Sequence, residues 1–228
     1  MRAENPSGGD GTILQNGTKV LLNKHLERYP TLASLGITLE KAVACIAACH
    51  RAGGKILLCG NGGSAADCEH IAGELVKGFM LPRLLTLEEK IHLDATGDAR
   101  LSQVLQRGIV ALPLTAHGAL ATAIINDIGG EWGFAQQVLV MGRPGDVLFA
   151  ISTSGNSPNV LAALRVAGAF GLTTIGLSGA HGGLMSPLCD ILINAPAEET
   201  FQVQELHLPL YHMLCLAVEH EIFGEGSV

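Results

Sequence analysis

Three short apolar runs share one grammar: KILLCGNGGS from Lys55, GDVLFAISTSGNS from Gly145 and LTTIGLSG from Leu172 each close in Gly, Ser or Asn. A run without polar alternation is what a strand needs when helices cover both faces of its sheet. Helix-like segments follow the runs, so the chain predicts an α/β fold with a parallel sheet and crossover helices. Ligands of such a sheet collect beyond the carboxyl ends of its strands, which brings the three polar loops to one edge. Upstream, Leu14, Val20, Leu21, Leu32 and Leu35, then Leu39, Val43, Ile46 and Ala47, recur at helical spacings. That pattern predicts two helices between about residues 13 and 52. The stretch from 81 to 125 mixes apolar runs with breakers and is left unassigned.

Composition narrows the class. The chain has 228 residues, with 14 Lys and Arg against 21 Asp and Glu, for a formal charge of −7. It carries no basic stripe of the kind that tracks a phosphate backbone, so no nucleic-acid partner is expected. The six cysteines, at 45, 49, 59, 68, 189 and 215, form no CxxC pair and fall mostly in apolar runs, which fits a reducing compartment. The opening MRAENPSGGDG lacks an apolar signal core, and no uninterrupted apolar stretch reaches the roughly 18 residues of a membrane span. The expectation is a cytoplasmic protein: a disordered tail over 1–11 and one domain over 12–228 that includes the N-terminal helices.

The loops suit an anion. Gly60, Gly62 and Gly63 allow close backbone approach, and the amides opening the next helix present unpaired donors with a partial positive charge. Ser152, Thr153, Ser154 and Ser157 add hydroxyls before Pro158, at a favoured helix start. Together they can hold a phosphate without Lys or Arg. GNGGSA lacks the dinucleotide G-x-G-x-x-G pattern, and no Gly-Lys-Ser/Thr follows, so neither standard nucleotide loop is present. His70 and Glu74 lie one helical turn apart on one face, near enough to share an ion or a substrate, and zinc accepts both ligand types. Gln204 and His212 are eight residues apart, about 12 Å along a helix axis. They share an ion only if it sits between them or if subunits contribute separately. Pro209 between them is expected to distort the helix locally.

GNGGSAADCEHIAGEL, Asn126-Asp127, STSGNS and QELHLPLYH, in that order, resemble the sugar isomerase (SIS) domain family and within it the phosphoheptose isomerases. The resemblance covers about residues 13 to 223. It implies a three-layer sandwich with a five-stranded parallel sheet flanked by helices, and a homotetramer with sites between subunits. By matched position it implies substrate contacts from Asn61, Gly62, Gly63, Asn126, Asp127 and Gln204, and a phosphate on Ser152, Thr153, Ser154 and Ser157. One zinc ion per subunit would be held by His70, Glu74, Gln204 and His212, with Glu74 and His212 also transferring protons. The implied reaction converts sedoheptulose 7-phosphate into D-glycero-D-manno-heptose 7-phosphate through an enediolate. Such chemistry needs a base, an acid and a Lewis acid at the developing oxyanion.

The segment LTLEEKIHLDATGDARLSQ is extra material relative to the simplest members, which bears on the exact sugar. His92, His117, His181 and His207 fall outside the matched positions and read as surface or structural; Asp67 reads as a first-turn acidic residue. Other SIS proteins are non-catalytic modules that bind proteins, like the replication-initiator-associating tetramers, or sense sugar phosphates. They resemble this chain in its loops and tend to lack the carboxylate and last-helix histidine kept here as Glu74 and His212.

Overall fold

The computed structural model describes residues 14–224; the tail expected over 1–11 lies outside them. Helix α1 (Asn16–Arg28), a 3₁₀ turn (Pro30–Leu35) and α2 (Gly36–Arg51) open the chain, as the helical spacing predicts. They lead into β1 (Ile56–Cys59) and α3 (Gly63–Val76). The unassigned stretch holds α4 (Leu87–Asp94), α5 (Arg100–Val104), β2 (Ala111–Pro113) and most of α6 (Gly118–Asp127). Then come α7 (Gly133–Met141), β3 (Val147–Ser152), α8 (Pro158–Ala169), β4 (Thr173–Ser178), β5 (Ile191–Asn194) and the long α9 (Thr200–Phe223).

The five strands form one parallel sheet in the order β2-β1-β3-β4-β5. The first strand lies between the second and third, so the connections leave β1 and β3 in opposite directions. Loops at that switch point diverge and open a crevice. The GNGGS and STSGNS loops follow these two strands, and Asn61 and Asn159 tie them by reciprocal side-chain hydrogen bonds of 2.9 and 2.8 Å. On one face, α1, α2, α3 and α9 pack a core that includes Leu39, Val43, Ile71, Phe149 and Leu214. On the other, Leu57, Leu148, Val160 and Leu164 join the sheet to α8.

Pro30–Arg51 is long and apolar enough to cross a membrane by length and composition, a stretch the search for uninterrupted apolar runs passes over. In the fold Leu32, Leu39, Ala42, Val43, Ile46 and Ala47 are buried inside the protein, so its apolar character serves the core. Helix α9 continues through Pro209, which is buried. All six cysteines are free thiols.

Candidate active site

Helix α3 begins in the glycine loop. Gly62 adopts φ +57° at its start, a conformation that favours glycine. A Cβ on Gly63 would stand 2.5 Å from Nε2 of Gln204, so the glycine makes room for the amide of α9. Seven residues further on, the Tyr211 hydroxyl meets His70 Nδ1 at 3.0 Å and His212 Nε2 meets His70 Nε2 at 3.3 Å. Gly63 with Gln204 and His70 with Tyr211 and His212 mean that α3 and α9 lie side by side, running the same way. Their facing stripes form one wall of the crevice.

His70 is the hub of this wall. Its Nε2 is 3.3 Å from Glu74 Oε1 as well as from His212, while its Nδ1 is engaged by Tyr211. Both ring nitrogens of His70 are therefore engaged, Nδ1 by the Tyr211 hydroxyl and Nε2 by Glu74 and His212. The Asp67 carboxylate lies near enough to the Tyr211 hydroxyl for the two to shift each other's titration. Burial pushes the Tyr211 hydroxyl up, with Asp67 adding, and burial also raises Asp67 against the pull of Tyr211 and His70. His212 is pushed down by burial first and by His70 second, with Glu74 opposing; it is a neutral imidazole near neutral pH. Glu74 Oε1 and His212 Nε2, each 3.3 Å from His70 Nε2, share a proton or a cation with it. A tetrahedral metal with bonds of about 2.0 Å has ligand separations of about 3.3 Å, so the spacing around His70 suits zinc-type donors. Among the described residues no group of three or more His, Cys, Asp or Glu side chains is placed to hold a metal ion by itself, and the Gln204 amide lies beside Gly63.

Sequence reasoning misses several neighbours. The Lys77 ammonium donates to Glu74 Oε2 at 3.0 Å. Phe79 packs its ring 5.7 Å from that of His212. His25 of α1 is pushed down by burial, then by Arg28 and His212, and its Nε2 is buried without a partner. No spacing rule flags these residues, because they come from a loop and from the first helix.

The second loop turns tightly between β3 and α8. Ser152 and Ser157 hydroxyls lie 3.0 Å apart. Gly155 turns at φ +66°, and the Asn156 N–H donates to Ser154 Oγ at 3.2 Å. Ser157 stands at the start of α8 without capping it; Pro158 has no N–H and the Val160 N–H donates to Asn159 Oδ1 at 3.0 Å, so the Asn159 N–H is the first-turn donor left toward the loop. Asn126 and Asp127 sit at the end of α6 and pair with each other at 2.7 Å. Among the described residues their side chains make no hydrogen bond to either loop.

The SIS domain pattern matches residues 30–111 and 89–179. A phosphoheptose isomerase of Burkholderia pseudomallei (strain 1710b) is 46% identical over 189 residues, covering 82% of this chain and 84% of the relative. The chain belongs to the phosphoheptose isomerases of the SIS domain family, which are aldose–ketose isomerases. A second member, from Maridesulfovibrio salexigens, is 40% identical over 195 residues, covering 86% of this chain and 82% of its own. The solved phosphoheptose isomerase from Neisseria gonorrhoeae superposes with a TM-score of 0.66 at 32% identity, covering 89% of this chain and 94% of that one. That from Francisella tularensis gives 0.68 at 25% identity, covering 91% and 100%.

Proposed function

We propose that this chain, as one SIS unit over residues 12–228, interconverts sedoheptulose 7-phosphate and D-glycero-D-manno-heptose 7-phosphate in a reducing cytoplasm. The observation that carries the reading is the convergence of Glu74 and His212 on His70 beside two anion loops, in a chain of this family. The phosphate rests on Ser152, Thr153, Ser154 and Ser157 and on the Asn159 N–H in the first turn of α8. Charge-assisted bonds from neutral donors, aided by the helix start, replace a cationic side chain. Asn61, Gly62, Gly63, Asn126, Asp127 and Gln204 contact the sugar.

Glu74 takes the proton from C1 of the ketose and a proton is returned at C2, while His212 moves the hydroxyl proton between O2 and O1. Each transfer by a placed acid or base is worth about 10² to 10⁴ in rate. His70, Glu74 and His212 would hold one zinc ion per subunit, which when bound supplies a Lewis acid for the enediolate oxygen; Gln204, beside Gly63 in this chain, would complete the set by swinging toward His70. Lys77 and His70 hold the Glu74 carboxylate in the resting enzyme, so one of those contacts must loosen before C1 is approached.

A homotetramer with shared sites is part of this reading. Leu84, Leu87, Ile91 and Val104 are 72%, 76%, 58% and 71% exposed, and α4 and α5 bury no residue of their own. Large apolar surface left open by a single chain suits a second copy.

The test is direct. Purified protein with measured zinc content is incubated with sedoheptulose 7-phosphate, and the aldose is followed by NMR; Glu74→Gln and His212→Ala should each abolish conversion, and His212→Ala should also lower bound zinc. Absence of conversion by zinc-loaded wild type would falsify the isomerase reading and favour a non-catalytic SIS module.

A further inference from the structure

Arg83 is 1% exposed and so is Glu219 beside it. A buried guanidinium is tolerated only when its donors are matched, and here each partner has a purpose. Arg83 Nε donates to Glu219 Oε1 at 2.9 Å, Nη2 donates to the backbone carbonyl of Glu74 at 2.9 Å, and Nη1 donates to the carbonyl of Leu75. The Glu219 carboxylate also accepts the backbone N–H groups of Phe79, Met80 and Leu81, at 2.7, 2.8 and 3.1 Å.

The last carbonyls of a helix lack intrahelical donors. Helix α3 ends at Lys77 in extended backbone, φ −119° and ψ 170°, so the left-handed glycine turn that often supplies those donors is missing. Arg83 supplies them instead, together with the Ile109 N–H, which reaches the Leu75 carbonyl at 2.9 Å. The residue so held is Glu74. Through Glu219 the same pair fastens the segment that brings Phe79 against His212. One ion pair thus touches the supports of both proposed proton-transfer groups without touching the crevice.

We propose that Arg83, fixed by Glu219, is a positioning residue for the isomerase: it clamps the end of α3 so that Glu74 and the Phe79 wall beside His212 keep their reacting geometry. The inference rests on the isomerase reading. Its chemistry needs the planar fork of arginine, because a lysine ammonium keeps the charge facing Glu219 but does not span two carbonyls and a carboxylate.

The variant that separates positioning from bulk stability is Arg83→Lys, compared with Asp146→Asn. Asp146 is buried and accepts from Lys55 and Arg143 at the far ends of β1 and β3. Its loss destabilises the fold away from the crevice. Arg83→Lys should lower kcat by about 10- to 100-fold, as small misplacements of a reacting group do, with KM for sedoheptulose 7-phosphate within about twofold, because the serine loop is untouched. At a comparable fall in melting temperature, Asp146→Asn should keep kcat. Hydrogen exchange gives a readout free of substrate: amides over 71–83 should exchange faster in Arg83→Lys and not in Asp146→Asn. Wild-type kcat in Arg83→Lys, an equal kcat loss in Asp146→Asn, or unchanged exchange over 71–83 overturns the clamp. A wild-type enzyme inert toward the sugar overturns the isomerase reading instead, and the exchange comparison still reports on the clamp.

Discussion

His207 lies inside the QELHLPLYH segment, yet it is fully buried, with Nε2 3.3 Å from the Ser178 carbonyl. Burial lowers its pKa from 6.5 to about 4, with the Ser178 hydrogen bond opposing. The native state therefore keeps His207 neutral while the unfolded chain protonates it. A lowered folded pKa contributes stability that is complete above the unfolded value and is lost as pH falls from about 6.5 toward 4. Integrated from pH 7.5 to 4.5, this one group removes roughly 2 to 3 kcal/mol. His207→Gln is the informative variant, since its amide can still donate to the Ser178 carbonyl but does not titrate. Urea unfolding of both proteins at one fixed protein concentration, across that pH range, gives the difference directly. The wild type should lose about 2 to 3 kcal/mol more than the variant between the two ends. Parallel pH profiles would refute the buried neutral imidazole.

Three further outcomes follow from the site and surface. Ser154→Ala with Ser157→Ala should raise KM for the sugar phosphate by about tenfold or more, measured by initial rates; an unchanged KM removes the phosphate from this loop. Gly155→Ala should destabilise the same loop, because its φ of +66° disfavours a side chain and the new Cβ collides with the Gly182 carbonyl; a variant with wild-type melting temperature and KM contradicts this. Leu87→Glu with Ile91→Glu should weaken subunit association in light scattering. A fully active monomer of the wild type at micromolar concentration would end the shared-site reading.

The three central strands are legible because both their faces are covered, so each appears as an unbroken apolar run. The edges are not. Ala111–Pro113 and Ile191–Asn194 are short and only partly buried, and one contains a proline, so they look like loop. Within the candidate site, His70 and Glu74 are readable from helix spacing alone. His212 joins them only because α9 lies alongside α3, a long-range fact that no local pattern encodes. The same packing takes Gln204 to Gly63, two turns from His70. Lys77, Tyr211 and Arg83 look like ordinary helix-end, core and loop residues in sequence. What gives Arg83 its meaning is Glu219, far along the chain, and neither residue signals the other.

The two ends of α3 carry opposite electrostatic duties. Its start presents the positive end of the helix dipole, where an anion is stabilised, although the Ser64 and Ala65 N–H groups already reach the Asn61 and Gly62 carbonyls; its last turn presents carbonyls and the negative end, where cations are. The placement of side chains agrees: the glycine loop is free of acidic groups, while Arg83, Lys77 and the histidine pair gather toward the carbonyl end. Arg83 is buried and fixed, whereas the Lys77 side chain is 62% exposed, so its pairing with Glu74 is screened and weak. A rigid cation on the backbone and a loose one on the carboxylate make different contributions. The first holds Glu74 in place, and the second, under the proposed mechanism, lets its carboxylate exchange Lys77 for the C1 proton of an arriving sugar.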